Sequence, residues 1–136
     1  MAVGLVIVSH STKLAEGVAE LAGQMAQGKV AIATAGGTAD GSLGTAMEKV
    51  LDALHQVDGP DGILVLLDLG SAVMTTEIAV ETFTAEQPRR IVISPAPLVE
   101  GAVIAAVEAS IGNSLDDVAA AAANAHLLPK ISDQPS

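Results

Sequence analysis

Four short aliphatic runs punctuate this chain, and none of them alternates polar with apolar side chains. They are Val3 to Val8, Val30 to Thr34, Ile63 to Leu67 and Ile91 to Ile93. A strand with one wet face alternates, whereas an unbroken apolar run must be covered on both faces. The segments between the runs carry helical spacing instead. Leu14, Val18, Leu21, Ala22 and Met25 form one stripe, and Met47, Val50, Leu51 and Leu54 form a second. A third helix is expected from after Ser71 to about Thr84, and Leu98, Val99, Ala102, Val103, Ala106 and Val107 mark a fourth. Strands alternating with helices predict an α/β fold, a three-layer doubly wound sheet with mostly parallel strands.

Turn chemistry sets the joints. Ser11 or Thr12 can cap the first helix, and Gly28 ends it. Ala35-Gly36-Gly37-Thr38-Ala39-Asp40-Gly41 reads as a loop tolerant of positive φ, after which Ser42 is expected to cap the second helix. Asp58 to Gly62 is a turn, and Gln87-Pro88 breaks the third helix. Pro95 and Pro97 force an extended connection. Ser114-Leu115-Asp116-Asp117 resembles a capping box and opens a last helix to about Leu127. The expectation is one domain over residues 1–131 and a disordered tail over 132–136.

Composition removes several classes of function. The 136 residues include no cysteine, so disulfides, thiolate metal sites and cysteine nucleophiles are out. Sixteen acids against six bases give a net charge of −10, which argues against binding nucleic acid or anionic lipid. The same charge suits docking to a basic protein patch. No apolar stretch reaches membrane-spanning length, and Leu5 to Val8 lacks the basic flank of a signal peptide. The expected location is the cytoplasm.

In a parallel sheet, ligands bind beyond the carboxyl ends of the strands. His10 follows the first strand there, the Gly36-Gly37 loop the second, and Asp68 the third. If strands one and three are neighbours, His10 and Asp68 face each other. A carboxylate that accepts from one ring nitrogen fixes the tautomer and leaves the other as a nucleophile, base or metal ligand. Around them lie the hydroxyls of Ser9, Ser11, Thr12, Thr38 and Ser71 and the amides near Gly36, Gly37 and Gly70. A helix start with free amides is an anion site. A nucleophilic histidine inside one points to a phosphoryl group carried on nitrogen. A metal site built from His10, Asp40 and Asp68 has too few and too scattered ligands, and Asp40 reads as a turn residue. His55 and His126 sit late in helices, where a cation favours the helix dipole. The Gly-rich loop lacks the Gly-Lys-Ser/Thr ending of a nucleotide-binding loop, so no cofactor is expected.

Val6-Ile7-Val8-Ser9-His10-Ser11 resembles the phosphorylation site of the DhaM family, the phosphotransferase-system subunits of dihydroxyacetone kinase. The likeness continues in Ala35-Gly36-Gly37-Thr38, Gly41 to Thr45, Asp68 to Ala72 with Met74 and Glu77, and Ala96 to Ala102. The resemblance implies a mannose-type enzyme IIA-like fold. It also implies that His10 takes a phosphoryl group from the phosphocarrier HPr at the expense of phosphoenolpyruvate. The group would pass to ADP on the partner subunit DhaL, with DhaK downstream. Asp68 would orient His10, and Gly36, Gly37, Thr38 and Ser71 would line the pocket. A homodimer is implied, with a strand near the fourth-strand connection crossing the interface. Ala46 and Thr75 depart from the pattern, where a hydroxyl residue and an Asn often stand. Asp68-Leu69-Gly70-Ser71 lacks the Phe-Gly-Gly-Ser-Pro style of mannose-type transporters, which favours the kinase branch over sugar transport. The rival readings are a sugar-transport IIA domain, a phospho-regulated signalling module of the same fold, and a flavodoxin-like binder. The absence of Trp and Tyr speaks against the last.

Overall fold

A computed structural model describes residues 2–131 of the chain. The tail expected to be disordered, residues 132–136, lies outside the described residues. Four parallel strands form one sheet: β1 (Gly4–Ser9), β2 (Ile32–Gly36), β3 (Ile63–Leu67) and β4 (Ile91–Ile93), in the order β2-β1-β3-β4. Five helices connect and cover them: α1 (Thr12–Met25), α2 (Met47–Gln56), α3 (Ala72–Glu86), α4 (Leu98–Ser110) and α5 (Leu115–Ala123). A 3₁₀ turn at Ala125–Leu127 follows.

Neighbouring residues of β1 point to opposite faces, which explains why its run is apolar throughout. Val3, Leu5 and Ile7 pack with α1, α4 and α5, whereas Val6 and Val8 pack with α2 and α3. The first layer is filled by small residues. Ala102, Ala105, Ala106 and Ala109 of α4 are fully buried, so α4 lies close against α1 and α5. The second layer holds Phe83, the one aromatic residue, at 2% exposure. Each fully buried Leu or Ile contributes about 1.5–3 kcal/mol of transfer free energy. Among the described residues, no helix is long and apolar enough to cross a membrane.

Three boundaries differ from the sequence expectation. The second strand runs from Ile32 to Gly36, not from Val30 to Thr34. Val30 is buried with the α1 layer ahead of the strand, and pairing with β1 carries the strand on to Gly36. Ser42 does not cap α2. Its amide donates to Asp40 Oδ1 and its carbonyl accepts from the Thr38 amide, so it belongs to a turn. The helix begins at Met47 behind Ala46, which makes no side-chain cap. The last α-helix stops at Ala123, and the 3₁₀ turn takes up the remainder to Leu127. The predicted caps at Ser11 and Ser114 are present, accepting from the amides of Leu14 and Asp117.

Candidate functional site

The strand order makes β1 and β3 neighbours, so the residues following them meet at the carboxyl edge. Asp68 grips His10 twice. Oδ2 accepts from the His10 backbone amide at 3.0 Å, and Oδ1 lies 2.9 Å from ring Nδ1. The Ser9 hydroxyl also donates to Asp68 Oδ2, at 2.9 Å. Burial of the carboxyl pushes its pKa up, but the hydrogen bonds from the His10 amide, the His10 ring and Ser9 outweigh it. Together they hold Asp68 below its ordinary value of 3.8. An ionised Asp68 only accepts, so Nδ1 carries the proton and Nε2 keeps its lone pair. Nε2 lies 2.8 Å from the Ser71 hydroxyl, which donates to it. The ring remains reachable, with 25% of the side chain exposed.

The backbone of His10 is held on its far side as well. Its carbonyl accepts from the amide of Gly44 at 2.9 Å. Gly44 lies in the strap of residues 37–46 that joins β2 to α2 and passes beside the histidine. Its φ of +145° is one that L side chains rarely adopt, and a Cβ there would meet Thr38 Cγ2 at 2.7 Å. Sequence reasoning missed this contact, because it joins residues far apart through backbone atoms that no side chain advertises.

His10, Asp68, Ser9 and Ser71 therefore converge as the sequence predicts, while other residues are reassigned. The Ser11 hydroxyl caps α1, and its amide donates to the Ser9 hydroxyl. The Thr12 hydroxyl donates to the Gly36 carbonyl at 2.9 Å. The Thr38 hydroxyl donates to Asp40 at 2.6 Å. The Gly37 amide donates to the Ser9 carbonyl and is not free for an anion. Gly36 and Gly37 serve close packing instead. A Cβ on Gly36 would sit 2.7 Å from Thr12 Cα, and one on Gly37 would sit 2.6 Å from Thr12 Oγ1. The amides of Gly70 and Ser71 have no partner among the described residues. They stand at the start of α3, beside the hydroxyl that reaches Nε2.

Asp40 is a turn residue. Hydrogen bonds from Thr38 and then Ser42 bring its carboxyl down to about 2. His126 sits in the 3₁₀ turn with Nδ1 2.9 Å from the Ala123 carbonyl, and His55 stacks edge-on to Phe83. Exposed apolar side chains stand on the segments that form the site: Leu14 on the first turn of α1, Leu43 in the strap, Leu69 after Asp68 and Met74 on the first turn of α3, the last two 59% and 71% exposed. The charge reading of the sequence did not single them out.

Comparison with known proteins gives a consistent result. The EIIA-man family, described as PTS system fructose IIA component, matches residues 4–119. A protein of Escherichia coli (strain K12), the phosphoryl donor subunit DhaM of PEP-dependent dihydroxyacetone kinase, is 42% identical over 119 residues. The match covers 85% of this chain and 25% of that protein, so the chain spans about a quarter of its length. The phosphoryl donor subunit DhaM of PEP-dependent dihydroxyacetone kinase 2 from Listeria innocua serovar 6a is 36% identical, covering 91% of this chain and 99% of that protein. The crystal structure of a phosphotransferase system component EIIA from Streptococcus agalactiae superposes with a TM-score of 0.68 at 17% identity. It covers 97% of this chain and 99% of that one, and it shows the shared fold.

Proposed function

Since the chain belongs to the EIIA-man family of PTS components, in the branch of the DhaM phosphoryl donor subunits, we propose that His10 is a phosphoryl carrier working through Nε2. The observation that carries this reading is the pair of contacts on one ring, Asp68 at Nδ1 and Ser71 at Nε2.

The geometry supports the following step. A phosphohistidine on HPr brings its phosphorus in line with Nε2. The Nε2 lone pair forms a new P–N bond as the old P–N bond breaks, and that electron pair returns to the donor's ring. Positive charge that develops on His10 spreads to Nδ1–H, where the Asp68 carboxylate stabilises it. The Ser71 hydroxyl gives up Nε2 and, with the Gly70 and Ser71 amides, donates to the phosphoryl oxygens. The second transfer reverses the sense. The phosphoryl group leaves for the terminal oxygen of ADP bound on DhaL, and the ATP formed serves dihydroxyacetone phosphorylation on DhaK. Both exchanges need a partner in contact with Nε2, and the apolar rim of Leu14, Leu43, Leu69 and Met74 offers each a water-excluding seat.

A homodimer is part of the same proposal. Strand β4 is a three-residue edge whose outer side has no partner strand among the described residues. Beside it lie exposed Ile78 and a cavity of about 490 Å³ whose lining mixes Leu67, Val73, Ile93 and Pro95 with Asp68 and Glu77, so it borders the His10 site as well. An open edge strand of this kind is a template for a strand from a second copy. With every reactant water-borne, we place the protein in the cytoplasm.

Incubation with phosphoenolpyruvate, enzyme I and HPr is the test. It adds a single acid-labile, base-stable phosphoryl group, and His10→Ala abolishes the labelling. Label that persists in His10→Ala overturns the assignment. Onward transfer to DhaL–ADP, and not to a sugar-specific IIB domain, fixes the acceptor.

A further inference from the structure

The two segments that hold His10 from opposite sides belong to different crossovers. The strap reaches the His10 carbonyl through the Gly44 amide, and α3 reaches Nε2 through Ser71. One side-chain hydrogen bond joins strap to α3 among the described residues. Thr45 Oγ1 lies 3.1 Å from Thr75 Oγ1 in a half-buried setting. Thr45 directly follows Gly44. Thr75 stands four residues after Ser71, one helical turn on and on the same face of α3. The contacts form a closed circuit: His10 carbonyl to Gly44, Thr45 to Thr75, and Ser71 back to the His10 ring.

We infer that Thr45 and Thr75 are positioning residues for phosphoryl transfer, a hydroxyl clasp that sets Gly44 and Ser71 on opposite sides of His10. The inference rests on the reading of His10 as the carrier. Neither hydroxyl touches the ring, so neither is a catalytic residue. The circuit explains how an uncapped loop holds one backbone conformation beside the nucleophile. Asp40, Thr38 and Ser42 fold the tip of the strap onto itself, but none of those three bonds reaches across to α3. Without the clasp, the strap end that carries Gly44 has no side-chain tie to the helix that presents Ser71. Reactive geometry is sensitive to small displacements of the orienting groups.

Thr→Val preserves shape at both half-buried positions and removes only the hydroxyl. The assay follows single-turnover phosphorylation of the full chain by phosphorylated HPr over a range of HPr concentrations. Thr45→Val and Thr75→Val each slow transfer at saturating HPr by about three- to tenfold, the span of one net hydrogen bond, with half-saturation unchanged. The double variant is no slower than either single one, because both act through one contact. Thr75→Ser restores the rate. In the unphosphorylated protein, the Gly44 amide exchanges faster in Thr75→Val while the capped Leu14 amide does not change. Wild-type rates in the single variants, multiplying effects in the double variant, or an unmoved Gly44 amide overturn the clasp. A wild-type chain that takes no phosphoryl group at His10 overturns the carrier reading, and the clasp's role in transfer with it.

Discussion

The two joints at the carboxyl edge next to the first strand are built on opposite plans. Between β1 and α1 stand only His10 and Ser11, while residues 37–46 lie between β2 and α2. The short joint takes its helix cap locally, since Ser11 caps the helix that begins beside it and Ser9 holds the Ser11 amide, while Asp68 and Gly44 hold His10. The long joint has no cap at its helix; Thr38, Asp40 and Ser42 fold its tip, and its helix-side end is tied outside the joint to the His10 carbonyl and to Thr75. The reacting group thus rides on the shorter joint, whose helix is capped from within. The longer one acts as its brace, and its shape depends on residues far away in sequence.

Substitutions break this contrast by different amounts. Asp68→Asn has the largest expected effect, since it removes the charge that fixes the ring for either joint to present. Transfer slows by at least about 10- to 100-fold, the cost of losing the carboxylate that orients a metal-ligating imidazole, and by up to about 10⁴-fold if the tautomer is lost as in a catalytic triad. Single-turnover phosphorylation measures it. The same carboxyl gives a pH signature. Its folded pKa is depressed, so its contribution to stability is complete above the ordinary value of 3.8 and is lost as pH falls through the folded value. Thermal unfolding of wild type followed down through that range shows a decline that Asp68→Asn reduces.

Gly44→Ala strikes the brace. Its φ of +145° and the 2.7 Å approach of Thr38 make the new Cβ strained, at about 1–3 kcal/mol. Denaturant unfolding reads the loss, and transfer falls with it as the Gly44 amide leaves the His10 carbonyl. Ser11→Ala is the mildest, at about 1 kcal/mol for a helix N-cap. Because the cap acts on the joint and leaves the ring contacts in place, its transfer rate at saturating donor stays close to wild type. A Ser11→Ala effect on transfer larger than that of Gly44→Ala reverses the contrast between joint and brace.

The same contrast explains what was legible in the sequence. The strand runs, the Ser11 and Ser114 caps and the order of His10 and Asp68 along the chain follow from local pattern and topology rules. The structure supplies the one missing condition, that β1 and β3 are neighbours. Ser42 misled because a serine near a helix start resembles a cap, whereas the Asp40 turn already engages its backbone. Thr12 and Thr38 looked like phosphoryl-binding residues on residue type alone, yet their hydroxyls donate to Gly36 and Asp40. Gly44, Thr45 and Thr75 stayed hidden because pairing between separate crossovers leaves no periodic mark.

Lys49 offers a last consequence. In β2, Gly36 directs its carbonyl outward from the sheet border, where Thr12 approaches from one flank and the Lys49 ammonium, at 2.9 Å, from the other. At the carboxyl end of that rim the outward acceptor is therefore already occupied. A foreign strand adding there would have to displace an ammonium and a hydroxyl before it could pair at Gly36, which disfavours extending the sheet at that end.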